Sequence, residues 1–438
     1  MTETRLFGTD GVRGRANVDL TPELAADLAR AAGEGNDGPV VIGRDTRRSG
    51  AMLAAALHAG FNSVGVDTVD LGIVPVGAVS RLGRDTGARI GVMVSASHNP
   101  APDNGIKFFG PDGAKLSDDA EAAVEDRYRR GGPWRRVDGA LIGIQSVMGD
   151  ALDRYVGSIA GAASYSLRGM EFSLDCAHGA AFRAAPDLFG RLGATVHAHN
   201  VDPDGMNIND GCGATHPGHL AGLAEGRVGF AFDGDADRCI AIDEDGKPVD
   251  GDAIMAILAR HMKEAGRLKP PIVVATVMSN LGFRRAMADL DIEIKETRVG
   301  DRYVLEEMRT TRAVLGGEQS GHVILEDRAT GDGLRTALRI AEVLAATGRE
   351  LRELRTVMQQ YPQVLRNITV GDRDALVDAD AVWDAVRRIE ARLGDNGRVL
   401  VRASGTEPLV RVMVEATTDE VAHRSATEIA DVVVAELG

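Results

Sequence analysis

Short apolar runs alternate with amphipathic stretches along the chain, a rhythm that predicts strands separated by helices. The runs at 39–43 (PVVIG), 63–72 (SVGVDTVDLG) and 89–96 (RIGVMVSA) read as buried strands. Residues 22–33 (PELAADLARAAG) and 49–61 (SGAMLAAALHAGF) read as the helices between them, with Pro22 and Gly33 marking the ends of the first. Alternation of this kind predicts a mostly parallel sheet with helices on its faces.

Punctuation divides the chain into four domains, 1–147, 148–251, 252–362 and 363–438. The stretch RRGGPWRR (129–136) makes the first break. A helix near 148–161 then opens a second unit, which a hairpin turning at Asp245-Gly246 closes. The third unit is expected to start with a helix after Asp252 and to carry helices near 332–347 and 350–360 before YPQ (361–363) ends it. In the last unit a strand near 365–370, a helix near 379–393, a strand pair around 402–411 and a terminal helix predict a small α+β domain. Three apolar runs end in polar loops of the same character, VMVSASHNP, FAFDGDADR and AVLGGEQSGH. Ligands of open α/β sheets sit beyond the carboxyl ends of strands, so one shared site would be economical.

Charge narrows the function. With 50 Lys+Arg against 65 Asp+Glu, a net −15, the chain is a poor fit to nucleic acid or an anionic membrane. An anionic ligand would need its positive groups gathered locally. Three scattered cysteines, none in a CxxC pair, argue against a disulfide framework or structural zinc and fit a reducing compartment. The start MTETRLFGTDG lacks a secretory apolar region, and no run reaches the ~18 apolar residues of a membrane span, so a cytoplasmic protein is expected.

Asp233, Asp235 and Asp237 alternate in DGDADR, and in an extended loop alternate side chains share a side. Three carboxylates there repel one another unless a cation joins them, and hard oxygen ligands suit Mg²⁺ or Ca²⁺. An EF-hand is excluded by Arg238 at the position that needs glycine and by the preceding strand. In RASGTEPLVR (402–411), Ser404, Gly405 and Thr406 form a turn flanked by Arg402 and Arg411; such a turn offers N–H groups, hydroxyls and guanidinium forks to a phosphate, or is a plain surface hairpin. Glu318 and Ser320, between glycines in GEQSGH, suit sugar hydroxyls or a polar turn. Arg13 in FGTDGVRG is placed to reach an anion or to cover the surface. The stretch SASHNP sets Ser97 beside His98 without the glycines of a hydrolase elbow. It is a proline-ended turn or a serine that carries a phosphoryl group, with Lys107 ten residues on to steady that group or act on a substrate hydroxyl.

The four loops, S-A-S-H-N-P, D-G-D-A-D-R, G-E-Q-S-G-H and R-A-S-G-T-E-P, resemble in this order the α-D-phosphohexomutase superfamily, over nearly the whole chain. FGTDGVRG, NINDGCGATHP (207–217), TVMSNLG (276–282) and RVGDRYV (298–304) look most like its bacterial phosphoglucosamine mutase branch. The resemblance implies three α/β domains and a smaller C-terminal α+β domain around a central cleft. It implies Ser97 as the phosphorylated nucleophile, and Mg²⁺ on Asp233, Asp235, Asp237 and a phosphoserine oxygen. Arg13, His98, Lys107 and Arg238 would surround the transferring phosphoryl group, Glu318 and Ser320 would hold sugar hydroxyls, and Arg402, Ser404, Gly405, Thr406 and Arg411 would hold the second phosphate. The implied reaction interconverts glucosamine 6-phosphate and glucosamine 1-phosphate through a 1,6-bisphosphate, feeding cell-wall precursor synthesis. Glucosamine or glucose 1,6-bisphosphate is the expected activator; sugar phosphates, and no nucleic acid or membrane, are the expected partners; relatives often pair as homodimers, and a closing motion of the fourth domain is expected. The same chemistry on glucose or mannose phosphate is the alternative. A binding protein that has lost turnover is disfavoured, because Ser97 and all three aspartates are present. Ala236 stands where the superfamily usually has glycine, which the loop tolerates if φ there is negative.

Overall fold

The computed structural model describes residues 5–8, 10–132, 134, 136–326, 329–404 and 408–438. The chain forms two compact units: one of residues 1–278 and 292–357, the other of 279–291 and 358–438.

The larger unit holds three sheets. The first runs in the order Val12–Arg15, Asp103–Phe109, Ile90–Val94, Val40–Arg44, Thr68–Ile73, Gln145–Val147. Its last four strands are mutually parallel, and Asp103–Phe109 turns antiparallel to them. The second orders Pro248–Val249, Cys239–Ile242, Val228–Phe232, Glu171–Asp175, Thr195–His199, with a parallel core and the expected Asp245-Gly246 hairpin at its edge. The third is short: Glu293–Thr297, Ile272–Thr276, Gly316–Gly317, Val323–Ile324. These are the mixed, mostly parallel α/β sheets that the strand–helix rhythm predicts. The smaller unit has an all-antiparallel sheet, Gln363–Thr369, Leu409–Ala416, Gly397–Ala403, covered by helices Asp380–Leu393 and Asp419–Leu437.

Local chemistry accounts for the boundaries. The helix Pro22–Gly33 starts where Thr21 accepts from the Leu24 amide, with Pro22 in the first turn. Its apolar face joins Phe61, Leu57 and Leu53 of helix Gly50–Ser63 and Val40, Ile42, Val92 and Val94 of the sheet in one buried cluster. In the smaller unit, Val410, Val412 and Val414 pack with Ile389, Ile429 and Val433.

Three boundaries depart from the sequence reading. The strand expected from 63 begins only at Thr68, because the second helix continues to Ser63. It closes as a Schellman motif, with the Val66 amide donating to Phe61 O, the Gly65 amide to Asn62 O, and Gly65 at φ 88. The helix expected after Asp252 starts at Gly251 on an Asp250 cap. The helix expected over 350–360 is one α-turn, Leu351–Leu354, with a 3₁₀ turn to Val357. Beyond it the Tyr361 amide donates to Asn280 Oδ1, and Pro362 disfavours helix at the residue before it. Among the described residues no helix is long and apolar enough to cross a membrane.

Candidate active site

The strand Ile90–Val94 delivers Ser97 into a buried, polar corner. Ser97 is 1% exposed and sits at φ 52, a left-handed conformation unusual for a side chain larger than glycine. Its amide donates to Ser95 Oγ at 2.9 Å, and Ser95 Oγ donates to Asp45 Oδ2 at 2.7 Å. The hydroxyl of Ser97 donates to Asp233 Oδ2 at 2.6 Å and lies 3.3 Å from His98 Nδ1.

Asp233, Asp235 and Asp237 follow the strand Val228–Phe232 and are all buried. One ligand oxygen from each lies within 4.8 Å of the others. Gly234 lets the two loops meet: a Cβ there would lie 2.5 Å from Ser97 O. The carboxylates crowd one another. Burial, then the charges of Asp237 and Asp235, push the Asp233 carboxyl well above the usual range. Asp237 is held low: burial opposes this, but Lys107 and His322 outweigh it. Asp235 Oδ1 and Asp237 Oδ1 are buried without a hydrogen-bond partner. Three convergent carboxylates with idle lone pairs fit a hard divalent cation. Ala236 does not meet the condition of a negative φ, since it sits at φ 58. Backbone bonds hold it there, from the Ala236 amide to Asp233 O at 3.0 Å and from the Gly333 amide to Ala236 O at 2.9 Å.

A ring of cations surrounds the acids. Lys107, 1% exposed, contacts Asp235 Oδ2 at 2.8 Å, Asp10 Oδ2 at 2.9 Å and Asp237 Oδ2 at 3.7 Å. Burial works against its charge, but these carboxylates raise its pKa. Arg13 pairs with Asp10 and donates to Asn99 Oδ1 at 3.2 Å. The Arg238 amide donates to Asp233 Oδ1 at 3.2 Å, and its guanidinium lies 3.9 Å from Asp237. Burial, then Arg238 and Arg13, push His98 down to about 4, so near neutral pH its ring is uncharged beside the serine.

The loop after Gly316–Gly317 closes the same corner. The Cys239 amide, just beyond the aspartates, donates to Gly321 O at 3.0 Å. Glu318 Oε1 accepts from the Gly300 amide at 3.1 Å, and burial raises its pKa against the pull of His322. Ser320 Oγ is buried without a partner. His322 lies between two carboxylates, with Nδ1 3.4 Å from Asp237 Oδ2 and Nε2 3.5 Å from Asp301 Oδ2.

Several residues here escaped the sequence reading. Asp10 bridges Arg13, Lys107 and Lys115, and Asp301 meets Lys115 at 2.6 Å. Both lie inside quoted motifs, FGTDGVRG and RVGDRYV, where only the arginine of the first was singled out. Asn209 of NINDG donates to Ser97 O at 2.9 Å.

In the smaller unit, Arg402 and Arg411 are register partners on adjacent strands. Burial, then Arg411, lower the Arg402 pKa. Like charges directly opposite in a sheet repel, which suits a site for an anion. Ser404 is buried, and its amide donates to Leu409 O at 2.8 Å. Gly405 and Thr406, also expected there, lie outside the described residues.

Comparison with known proteins agrees along the chain. The phosphoglucomutase/phosphomannomutase family matches in four parts: its alpha/beta/alpha domain I over residues 4–133, domain II over 153–246, domain III over 250–361, and its C-terminal domain over 365–432. Phosphoglucosamine mutase of Mycolicibacterium gilvum is 51% identical over 443 residues, covering 99% of each chain. That of Streptomyces griseus is 51% identical over 450 residues, covering 99% of this chain and 100% of its own. Among solved structures, a phosphoglucomutase/phosphomannomutase family protein from Burkholderia thailandensis is similar at TM-score 0.83 and 26% identity, over 100% of this chain and 98% of that one. Aspergillus fumigatus N-acetylphosphoglucosamine mutase, solved with GlcNAc-6P and magnesium, shares the fold at TM-score 0.72 and 19% identity, over 99% and 96%.

Proposed function

The chain belongs to the α-D-phosphohexomutase superfamily, alongside the bacterial phosphoglucosamine mutases, and on that premise we propose that it interconverts glucosamine 6-phosphate and glucosamine 1-phosphate through a phosphorylated Ser97. The observation that carries this reading is the 2.6 Å contact of Ser97 Oγ with Asp233 inside the buried carboxylate triad. A phosphoserine there gives its phosphoryl group to O1 of glucosamine 6-phosphate. The resulting 1,6-bisphosphate turns over, and its 6-phosphate returns to Ser97, leaving glucosamine 1-phosphate.

The work divides among the residues by charge. Asp233, Asp235, Asp237 and a phosphoserine oxygen would hold Mg²⁺, which when bound supplies positive charge at the transferring group. Arg13, Arg238 and Lys107 offset the rest of that charge, and the uncharged His98 ring stands beside the serine to take or return a proton. Glu318 and Ser320 hold sugar hydroxyls. Arg402, Ser404, Gly405, Thr406 and Arg411 grip whichever phosphate is not reacting. A trace of glucosamine or glucose 1,6-bisphosphate restores phosphate to an enzyme that has lost it. We also read a cytoplasmic homodimer: Leu141, Ile144 and Val147, each at least 64% exposed, lie along or near the edge strand Gln145–Val147, where a second copy would cover them.

The test is turnover. Purified protein with Mg²⁺ and a trace of hexose 1,6-bisphosphate is offered glucosamine, glucose and mannose 6-phosphates. The highest kcat/KM is expected for glucosamine 6-phosphate, and a preference for either other sugar would overturn the substrate assignment.

A further inference from the structure

We infer that Arg47, held by Asp45, is a positioning residue that keeps Ser97 in its reactive conformation; the reactive part of this rests on the phosphoserine reading above. Arg47 touches neither the carboxylate triad nor any cation of the ring in the contacts above, yet its side chain is completely buried. All five of its N–H donors are used. Nε donates to Asp45 Oδ2 at 2.9 Å. Nη1 donates to Pro100 O at 2.5 Å and Asp103 O at 3.0 Å. Nη2 donates to Ser97 O at 2.9 Å and Asn99 O at 2.7 Å. Four carbonyls of one loop are thus drawn to a single planar fork, which only arginine provides.

Asp45 completes the clamp from the other side. Its Oδ1 accepts the Arg47 amide at 2.9 Å, and its Oδ2 accepts Ser95 Oγ, which in turn accepts the Ser97 amide. The amide and the carbonyl of Ser97 are therefore both tied to one buried ion pair. That pair opposes the cost of holding a serine in the left-handed conformation at φ 52. A nucleophile that gives and regains a phosphoryl group in each cycle must return to one place, and small misplacement of reacting groups is costly in rate.

Arg47→Lys keeps the charge and stem but offers three donors from one point. Its kcat is expected to fall about 100-fold with KM little changed, measured well below the variant's melting temperature. Transfer from isolated phosphoenzyme to substrate, followed in a single turnover, falls in step. Ser95→Ala cuts the other tie and is expected to lower kcat in the same direction, so it serves if the lysine variant does not fold. Amide hydrogen exchange across 97–103, expected to quicken in both variants, reads the clamp without reference to any substrate. Wild-type kcat with unchanged exchange, or a rise in KM alone, would overturn the positioning role. Failure of the unmodified protein to turn over any hexose phosphate would instead strike the mutase reading, while the exchange comparison still decides whether the clamp exists.

Discussion

Ser97 Oγ and Asp233 Oδ2 lie 2.6 Å apart although 136 residues separate them in sequence. One residue lies just beyond a strand of the first sheet and the other just beyond a strand of the second, so the contact joins two strand-end loops that no local pattern connects. It also places a hydroxyl against a carboxyl that burial and two neighbouring carboxylates destabilise in its charged form. A divalent cation held by the three acids would relieve that crowding.

Metal dependence follows. Chelation is expected to abolish mutase turnover, and added Mg²⁺ to restore it. Asp235→Asn removes one charge from the cluster and should lower kcat by about 10²–10³-fold and raise the Mg²⁺ concentration for half-activity. A Mg²⁺ titration of the variant checks both. Unchanged Mg²⁺ dependence would remove Asp235 from the metal site. Intact mass supplies an independent reading, since the phosphate on active protein should be missing from Ser97→Ala.

The opposed arginines of the smaller unit predict a different signature. Arg411→Gln should raise KM roughly 10–100-fold, the worth of hydrogen bonds to a charged group, and alter kcat much less. Stability should hold or rise by a few tenths of a kcal/mol, because the variant relieves repulsion with Arg402 across the strand pair. Steady-state kinetics and urea unfolding measure the two effects. A fall in kcat at constant KM would place Arg411 with the reacting groups instead.

Local signals were readable in the sequence to the extent that they are local. Thr21 and Pro22 begin a helix by chemistry confined to one turn, and the first helix was legible end to end. Asp233, Asp235 and Asp237 alternate within five residues of sequence, and they do converge. What was not legible depends on partners far away. Asp10 matters because Lys107 and Lys115 reach it from a hairpin about a hundred residues on. Arg47 looks like one of several surface arginines in GRDTRRSG until the carbonyls of 97–103 are folded around it. Gly65 was read as part of a strand, because its role in closing the helix shows only in the bonds from its own and the Val66 amide.

Ala236 sets a further expectation. At φ 58 its methyl group costs what glycine would not, yet it is fully buried. Ala236→Gly gains about 1–2 kcal/mol from relief of the left-handed backbone. It loses roughly 0.5–1 kcal/mol to chain entropy and about 0.8 kcal/mol to the lost methyl. The net change should lie within about 1 kcal/mol of zero, with activity retained. Ala236→Val, β-branched in the same conformation, should destabilise by about 2 kcal/mol or more and weaken Mg²⁺ activation. Unfolding and Mg²⁺ titration of the pair check the sign. A valine variant as stable as the parent would contradict the left-handed conformation.

Stability toward acid should depend on His58. Its ring is 3% exposed, its Nδ1 lies 2.8 Å from Thr68 Oγ1, and Asn62 Nδ2 donates to the same hydroxyl at 3.3 Å. A neutral ring satisfies this contact as donor or acceptor, since the hydroxyl can accept from Asn62 and still give or take one more hydrogen bond. Burial lowers the pKa of His58 below 6.5; Asp70 opposes this and Arg44 adds to it. Between that lowered value and 6.5 the unfolded chain binds the proton and the folded chain does not, so folding stability rises with pH. The contribution is full above about 6.5 and is lost as pH falls below it. His58→Asn keeps an acceptor for Thr68 but cannot titrate. It should cost roughly 1–2 kcal/mol at pH 8 through lost packing, while flattening the decline between pH 7.5 and 5.5 seen by urea unfolding. An equally steep decline in the variant would assign the acid sensitivity to other groups, His199 and His261 first, since burial lowers both.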